Sequence, residues 1–371
     1  MPLIQYLSRI PFDFGAIRLL SEEIDRLGLK RPLLVTDRGI AEAGILERVL
    51  DAAGTRDIVV YDGTTENPNE ASLLACMEIW NDKGCDGVLA LGGGSPIDLS
   101  KAIALLASHG GELADYNVKT GGSERIGRVA PQIAIPTAAG TGAEVGRACV
   151  MTLLDGTKSI AVNLNMVADV VISDPELTLS LPPRLTAATG IDALSHGIET
   201  TLSPWINPPA AAIALDCVAR AAKWLPVAVE DGSNRQARWE MMMAALEGGM
   251  CLQKGLGGAH AMANPMGEAG YHHGTLIGIL LPHVMRFNAD AAPDEIARVK
   301  AAAGLAPDAD LAAWLTGLTG RIGLPRHLSQ LGVAAADLPK IAAKAATDHL
   351  SATNPRKANE ADYLGLLTGA L

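Results

Sequence analysis

Six short runs rich in aliphatic and β-branched residues punctuate the first half of the chain and then cease. Residues 31–37 (RPLLVTD), 57–61 (DIVVY), 86–91 (DGVLAL), 132–136 (QIAIP), 159–163 (SIAVN) and 170–173 (VVIS) have the length and flanks of strands. Between the early runs lie RLLSEEIDRLGL, GILERVLDAAG and EASLLACMEIWNDKG, whose apolar residues recur at three and four positions, the period of a helix with one buried face. Alternation of this kind predicts a parallel sheet covered by helices. Beyond Asp174-Pro175 the strand signals stop, and segments such as AAAIALDCVARAAKWL and RWEMMMAALEGGM carry helical periodicity to the end. The expected organisation is an α/β domain over 1–176 and an all-α domain over 177–371, which 371 residues can supply with two cores.

Charge and composition remove several classes of function. A net charge of -11 without clustered Lys and Arg argues against nucleic acid as a partner. No apolar run is long enough to span a membrane, and MPLIQYLSRIPFDFG lacks the basic and apolar regions of a signal peptide. The five cysteines are odd in number and form no CxxC pair, which suits reduced core residues in a cytoplasmic protein.

The segment GVLALGGGSPIDLSKAIALLAS reads as a buried strand, a glycine turn at Gly92 to Gly94, and a helix carrying Ser95, Asp98 and Lys101 near its start. Such a turn lets backbone amides and a helix N-terminus approach a phosphate, so Gly93, Gly94 and Ser95 are candidates for holding a pyrophosphate, with Asp98 beside them. Packing alone also favours glycines at such a turn. PTAAGTGAEV (136–145) places small and hydroxyl residues after another strand, as the wall of a nucleotide site would need. Asp37, ending the first strand, is placed to accept the adenosine ribose hydroxyls and to repel a 2′-phosphate, which favours NAD over NADP. It is equally suited to cap the helix that follows, and the two roles are compatible. The turn follows the third strand rather than the first, so it is not the GxGxxG of the usual dinucleotide fold.

In TGIDALSHGIE, Asp192 and His196 are four apart on one helical face. His260 in GGAHAMA and His273 in HHGT lie in apolar helical surroundings. One carboxylate and three imidazoles form a complete set for a divalent metal, although any one of these histidines could instead be a hydrogen-bonded core residue. His109, His327 and His349 sit among polar residues and read as surface, and His283 as a helix residue with no ligand role.

Seven motifs in register, GGGSPIDLSKA, IPTAAGTGAEV, ISDPELTLSLPP, TGIDALSHGIE, GLGGAHAMANPMG, HHGTLIGILLPHVMRFN and NPR (354–356), resemble the iron-containing (group III) alcohol dehydrogenases over most of the chain. The resemblance implies a Rossmann-like N-terminal domain, a helical C-terminal domain, the architecture shared with dehydroquinate synthase, and a cleft holding NAD(P) and a metal. It implies Asp192, His196, His260 and His273 as ligands of Fe2+, with Zn2+ the alternative. It implies Gly93, Gly94 and Ser95 as the pyrophosphate turn, Asp37 as the ribose contact, Thr137 and Thr141 as cofactor contacts, and Lys158 as a contact to the nicotinamide ribose. At least a dimer is the family expectation.

Departures from the family bear on proton transfer and specificity. Many members carry a further histidine where this chain has Asn264, so a relay must use His272, a ribose hydroxyl or water. The stretch from Pro265 to His273 is one residue shorter than usual, and His273, just before Gly274, is the ligand by position. Gly146, Ala148, Val150 and Cys251 suggest a roomy pocket, and Lys254 is a candidate to receive a substrate carboxylate or phosphonate, whereas nearby Arg147 reads rather as a surface or structural salt bridge. The expected activity is reversible hydride transfer between an alcohol, including a hydroxy acid, and its aldehyde or ketone. Alternatives of the same fold are a glycerol-type zinc dehydrogenase, a dehydroquinate-synthase-like lyase needing a Lys/Arg cluster, a metal-free maleylacetate-type reductase, and a non-catalytic binding protein.

Overall fold

The computed structural model describes residue 6 and residues 8–371. Two compact units are formed: Tyr6–Ala138 with Gly142–Ser180, and Leu181–Leu371 with Ala139–Thr141. In the first unit the order is α1 (Leu20–Leu27), β1 (Leu33–Val35), α2 (Arg38–Glu42), α3 (Ile45–Ala53), β2 (Val59–Tyr61), α4 (Glu70–Lys83), β3 (Val88–Gly92), α5 (Gly94–His109), β4 (Gln132–Pro136), β5 (Ala148–Thr152), β6 (Lys158–Val162) and β7 (Val170–Val171).

Five strands pair in parallel in the order β2-β1-β3-β4-β7, with Leu33 opposite both Val59 and Val88, and Leu89 opposite Ile133. β3 and β4 are buried along their whole length, as strands covered on both faces must be. Alternate residues go to different cores: Leu33, Val35 and Val88 pack with α5, while Leu34, Leu89 and Ile133 pack on the opposite side with Ile24 and Val49. Isolated parallel bridges from Arg9 to Val170 and Phe12 to Ser173 extend the β7 edge.

The run 159–163 does not join this sheet. β6 pairs antiparallel with β5 as a separate hairpin, Ala148 opposite Val162 and Thr152 opposite Lys158. Both strands alternate between buried and half-buried positions, the mark of a one-sided ribbon rather than of a central parallel strand.

The second unit is helical: α6 (Pro183–Leu202), α7 (Pro208–Glu230), α8 (Arg235–Cys251), α9 (Gly258–Glu268), α10 (His273–Asn288), α11 (Pro293–Ala302), α12 (Leu311–Arg321), α13 (Leu338–Thr347) and α14 (Glu360–Ala370). Every residue from Gly190 to Leu202 is buried, so α6 is the axis around which α7, α8 and α10 pack. Alanine, leucine and methionine fill this core. No helix among the described residues is long and apolar enough to cross a membrane.

Candidate metal and nucleotide sites

A helix buried on all sides has no reason to carry Asp192, His196 and Glu199 unless each is paired, because an unpartnered buried charge is costly. Their spacing sets all three on one face of α6. Asp192 Oδ1 is the centre of the cluster: Nε2 of His196 lies 3.7 Å away, that of His260 on α9 3.5 Å, and that of His273 at the start of α10 3.5 Å. Asp192, His260 and His273 each offer an atom within 4.8 Å of the others, and the His196 ring centroid is 5.0 Å from that of His260.

Gly274 makes this convergence possible. A Cβ there would run into the carbonyl oxygen of Ala188, so only glycine lets the start of α10 press against α6 and deliver the preceding His273.

The donor set fits a divalent cation. Atoms bound about 2.1 Å from one ion in a tetrahedral arrangement stand roughly 3.4 Å apart, close to the spacings around Asp192. Asp192 Oδ1 and His260 Nε2 are buried without a hydrogen-bond partner, which protein interiors avoid unless another group serves them. Burial opposes ionisation of Asp192, but the surrounding imidazoles outweigh it and hold the carboxyl well below its usual range. Burial lowers His196 to about 4, keeping it neutral as a ligand must be. His260 is also desolvated, yet the carboxylates of Asp192 and Glu199 on either side carry it up to about 9, the response of a ring between two carboxylates.

Glu199 was not singled out by sequence reasoning. It is 2% exposed, and its Oε2 lies 2.6 Å from His260 Nδ1. The available signal was its place three residues after His196 on the same helical face.

Two further expectations concern this unit. His272 is the N-cap of α10, and its Nδ1 accepts from the backbone N–H of Thr275 at 3.4 Å. Asn264 donates to Asp348 Oδ2 at 3.1 Å. Lys254, the candidate for a substrate carboxylate, is packed against the end of α6. Its ammonium is buried and donates to the carbonyls of Thr200 (2.8 Å), Thr201 (3.2 Å) and Ser203, at the C-terminal end of α6. Burial lowers its pKa to about 8. Its three N–H donors are thus met by main-chain carbonyls.

In the first unit, β3 ends at Gly92 with φ 144°, a conformation for glycine, and a Cβ there would come within 2.7 Å of Pro96. Gly93 is the N-cap residue of α5 and has no side chain of its own with which to cap the amides of the first turn. Ser95 Oγ donates to the carbonyl of Glu66, and the Thr137 amide donates to Gly92 at 3.0 Å, joining the ends of β3 and β4. Asp37 caps α2 through the Ile40 amide at 3.1 Å, and its Oδ2 would lie 3.5 Å from a Cβ on Gly92. The capping carboxylate therefore also faces the glycine turn.

Asp98 accepts from the Val150 amide of β5 at 3.1 Å; burial raises its pKa to about 6, against the pull of Lys101 and Lys158. Lys101, 1% exposed, donates to the carbonyls of Ala143 (2.6 Å), Gly146 (2.6 Å) and Ala148 (3.0 Å) and so fixes the segment after the GTG motif. Thr141 is exposed and belongs to the short segment grouped with the helical unit.

A parallel-sheet unit with a glycine turn at a helix N-terminus and a helical unit with an acidic–imidazole cluster are the parts of a metal-assisted nucleotide-linked oxidoreductase. Residues 8–175 match the iron-containing alcohol dehydrogenase family, and residues 186–371 match the C-terminal region of the same family. The chain is 45% identical to a 4-hydroxybutyrate dehydrogenase of Cupriavidus necator, with 99% of each chain covered. It is 38% identical to a 1,3-propanediol dehydrogenase of Citrobacter freundii over 94% of this chain and 93% of that one. Among solved structures, a 1,3-propanediol oxidoreductase superposes with TM-score 0.92 at 35% identity, each chain fully covered. The sulfoacetaldehyde reductase of Bifidobacterium kashiwanohense, solved in complex with NAD+, superposes with TM-score 0.90 at 28% identity, over 100% of this chain and 98% of that one. The chain belongs to the iron-containing alcohol dehydrogenase family. It is an NAD-linked oxidoreductase acting on the CH–OH group.

Proposed function

We propose that this enzyme interconverts a short ω-hydroxylated compound, a 4-hydroxy acid or a terminal diol, and its aldehyde, with NAD as hydride partner. The observation that carries the chemistry is the convergence of His196, His260 and His273 on one buried oxygen of Asp192. The relative at 45% identity over 99% of both chains supports the substrate class.

Asp192, His196, His260 and His273 would hold the divalent ion, Fe2+ or Zn2+. When bound, the ion supplies Lewis acidity that lowers the pKa of an alcohol hydroxyl, and NAD supplies the hydride acceptor. One carboxylate and three neutral imidazoles leave the site net positive by about one charge, suited to an oxygen that becomes anionic as its proton departs. Asn264 has no group that exchanges a proton near neutral pH, so His272 is the residue assigned to pass the hydroxyl proton outward. Its Nδ1 is occupied by Thr275, which leaves Nε2 for that work.

Gly93, Gly94 and Ser95 would bind the pyrophosphate through the first turn of α5, and Asp37 the adenosine ribose. Thr137, Thr141 and Lys158 are assigned to the rest of the cofactor, with Asp98 setting the electrostatics around Lys158. With Lys254 committed to α6, no residue here is assigned to a substrate carboxylate. Five buried free cysteines suit the reducing cytoplasm, and a homodimer is the proposed assembly.

The test is NADH formation by metal-stripped protein before and after reloading with Fe2+ or Zn2+, using 4-hydroxybutyrate, 1,3-propanediol, ethanol and glycerol. Metal-dependent turnover, highest with the two ω-hydroxylated substrates, is expected. Turnover that survives complete metal removal, or NAD binding without turnover of any alcohol or aldehyde, would overturn the reading.

A further inference from the structure

The helix that carries His260 has an unusual beginning. Its first amides have no partners within the helix, and position 257, where a Ser, Thr or Asp would normally cap, is glycine. Two buried side chains from remote segments take their place. Glu199 accepts from the Gly257 amide at 3.1 Å through Oε2 and from the Ala259 amide at 2.8 Å through Oε1. Asn354, of the NPR motif, accepts from the Gly258 amide at 3.1 Å.

Asn354 is itself fixed by a reciprocal pair with Asn288 at the end of α10, at 2.9 and 2.8 Å. A Cβ on Gly257 would lie 3.0 Å from both Glu199 Oε1 and Asn354 Oδ1, so close approach of these caps explains the paired glycines of GLGGAHA.

Glu199 does something Asn354 does not. Its Oε2 also meets His260 Nδ1 at 2.6 Å. A carboxylate is acceptor only, so Nδ1 must carry a proton, and Nε2, 3.5 Å from Asp192 Oδ1, is the nitrogen left to face a metal once it gives up any proton of its own. His260 is the third residue of α9, so one carboxylate ties the helix start and the ring together. His196 has no equivalent: its Nδ1 is buried without a partner.

We propose that Glu199 is a positioning residue that locks His260 as an Nε2 ligand, while the Asn354–Asn288 pair holds only the helix start. The inference rests on the metal reading above. In Glu199→Gln one amide NH2 must face the Gly257, Ala259 or His260 donors. Either two donors collide, or His260 turns its proton onto Nε2 and ceases to be a ligand there.

The experiment is Zn2+ affinity by chelator competition on the full chain, with melting temperature measured in parallel. Glu199→Gln is expected to bind zinc about 10- to 100-fold more weakly, the usual effect of removing such a partner. Asn354→Ala is expected to melt lower while keeping its zinc affinity within about 3-fold of wild type. Equal zinc loss in both variants, or wild-type affinity in Glu199→Gln, would overturn the proposal. Wild-type protein that binds no zinc or iron would overturn the metal reading and this inference with it.

If Glu199→Gln does not fold, histidine 15N NMR of zinc-loaded wild-type protein decides. A proton coupled to His260 Nδ1 and shifted downfield by the short bond is expected. A proton on Nε2 overturns the assignment.

Discussion

Asp192 Oδ1 on α6 and His273 Nε2 on α10 stand 3.5 Å apart, and that same oxygen lies 3.5 Å from His260 and 3.7 Å from His196. A single buried carboxylate oxygen is thus shared by two buried imidazoles and the partly exposed ring of His273, and its negative charge is what a cation would most depend on. Asp192→Asn keeps the size and removes the charge. We expect metal binding to weaken by more than about 100-fold and kcat/KM to fall at least as far, a charged first ligand counting for more than an outer one. Metal content after dialysis, by mass spectrometry, is the check; full occupancy in the variant would contradict it.

The approach of α10 to α6 is enforced at Gly274, whose Cβ position is filled by the Ala188 carbonyl. Gly274→Ala must push the helices apart or shift the α10 start, at a cost of about 1–3 kcal/mol for an overpacked core. His273 moves with it, so metal affinity should fall along with the melting temperature. Differential scanning calorimetry and chelator competition on the same sample test both; a lower melting temperature with unchanged affinity would separate the packing from the site.

Asp37 caps α2 and is the residue proposed for the adenosine ribose, and one substitution can divide the two. Asn caps a helix about as well as Asp, so Asp37→Asn should keep the bond to the Ile40 amide and melt within a few degrees of wild type. Removing the charge should cut discrimination against NADP by about tenfold, the equivalent of about 1.4 kcal/mol. The ratio of kcat/KM with NAD to that with NADP is the readout. An unchanged ratio would leave Asp37 as a cap alone.

The parts of this protein that were legible in its sequence are those whose signal is local. β3, the glycine turn and α5 follow one another in a single stretch, and Asp192 and His196 are one helical turn apart. His260 and His273 were legible because motif order tied them to that pair. Glu199 was not, because a glutamate on a helix is by default solvent-facing, and only burial of α6 on every side makes it exceptional. The surroundings of Lys254 were not legible for a related reason: no local pattern shows that the chain brings this ammonium back to the last carbonyls of α6. β6 was recognised as a strand but not as a hairpin partner, since pairing partner is a tertiary property.

Glu144, in the GTGAEV motif, supplies a pH signature independent of the metal cluster. It is 4% exposed, and burial raises its carboxyl to about 7, opposed by its own backbone amide and by Lys101. The folded pKa lies above the unfolded one, so between about 4.5 and 7 the folded state binds more protons than the unfolded chain. Stability from this group is present in full below the lower value and is lost as pH rises through the upper one. Glu144→Gln is neutral at every pH and removes that loss. Relative to wild type, the variant should therefore gain stability between pH 5 and pH 8, by roughly 1–3 kcal/mol. Melting temperatures of both proteins at the two pH values test this directly. A difference between them that does not change with pH would mean that Glu144 is already ionised in the folded protein at pH 5, with Lys101 outweighing its burial.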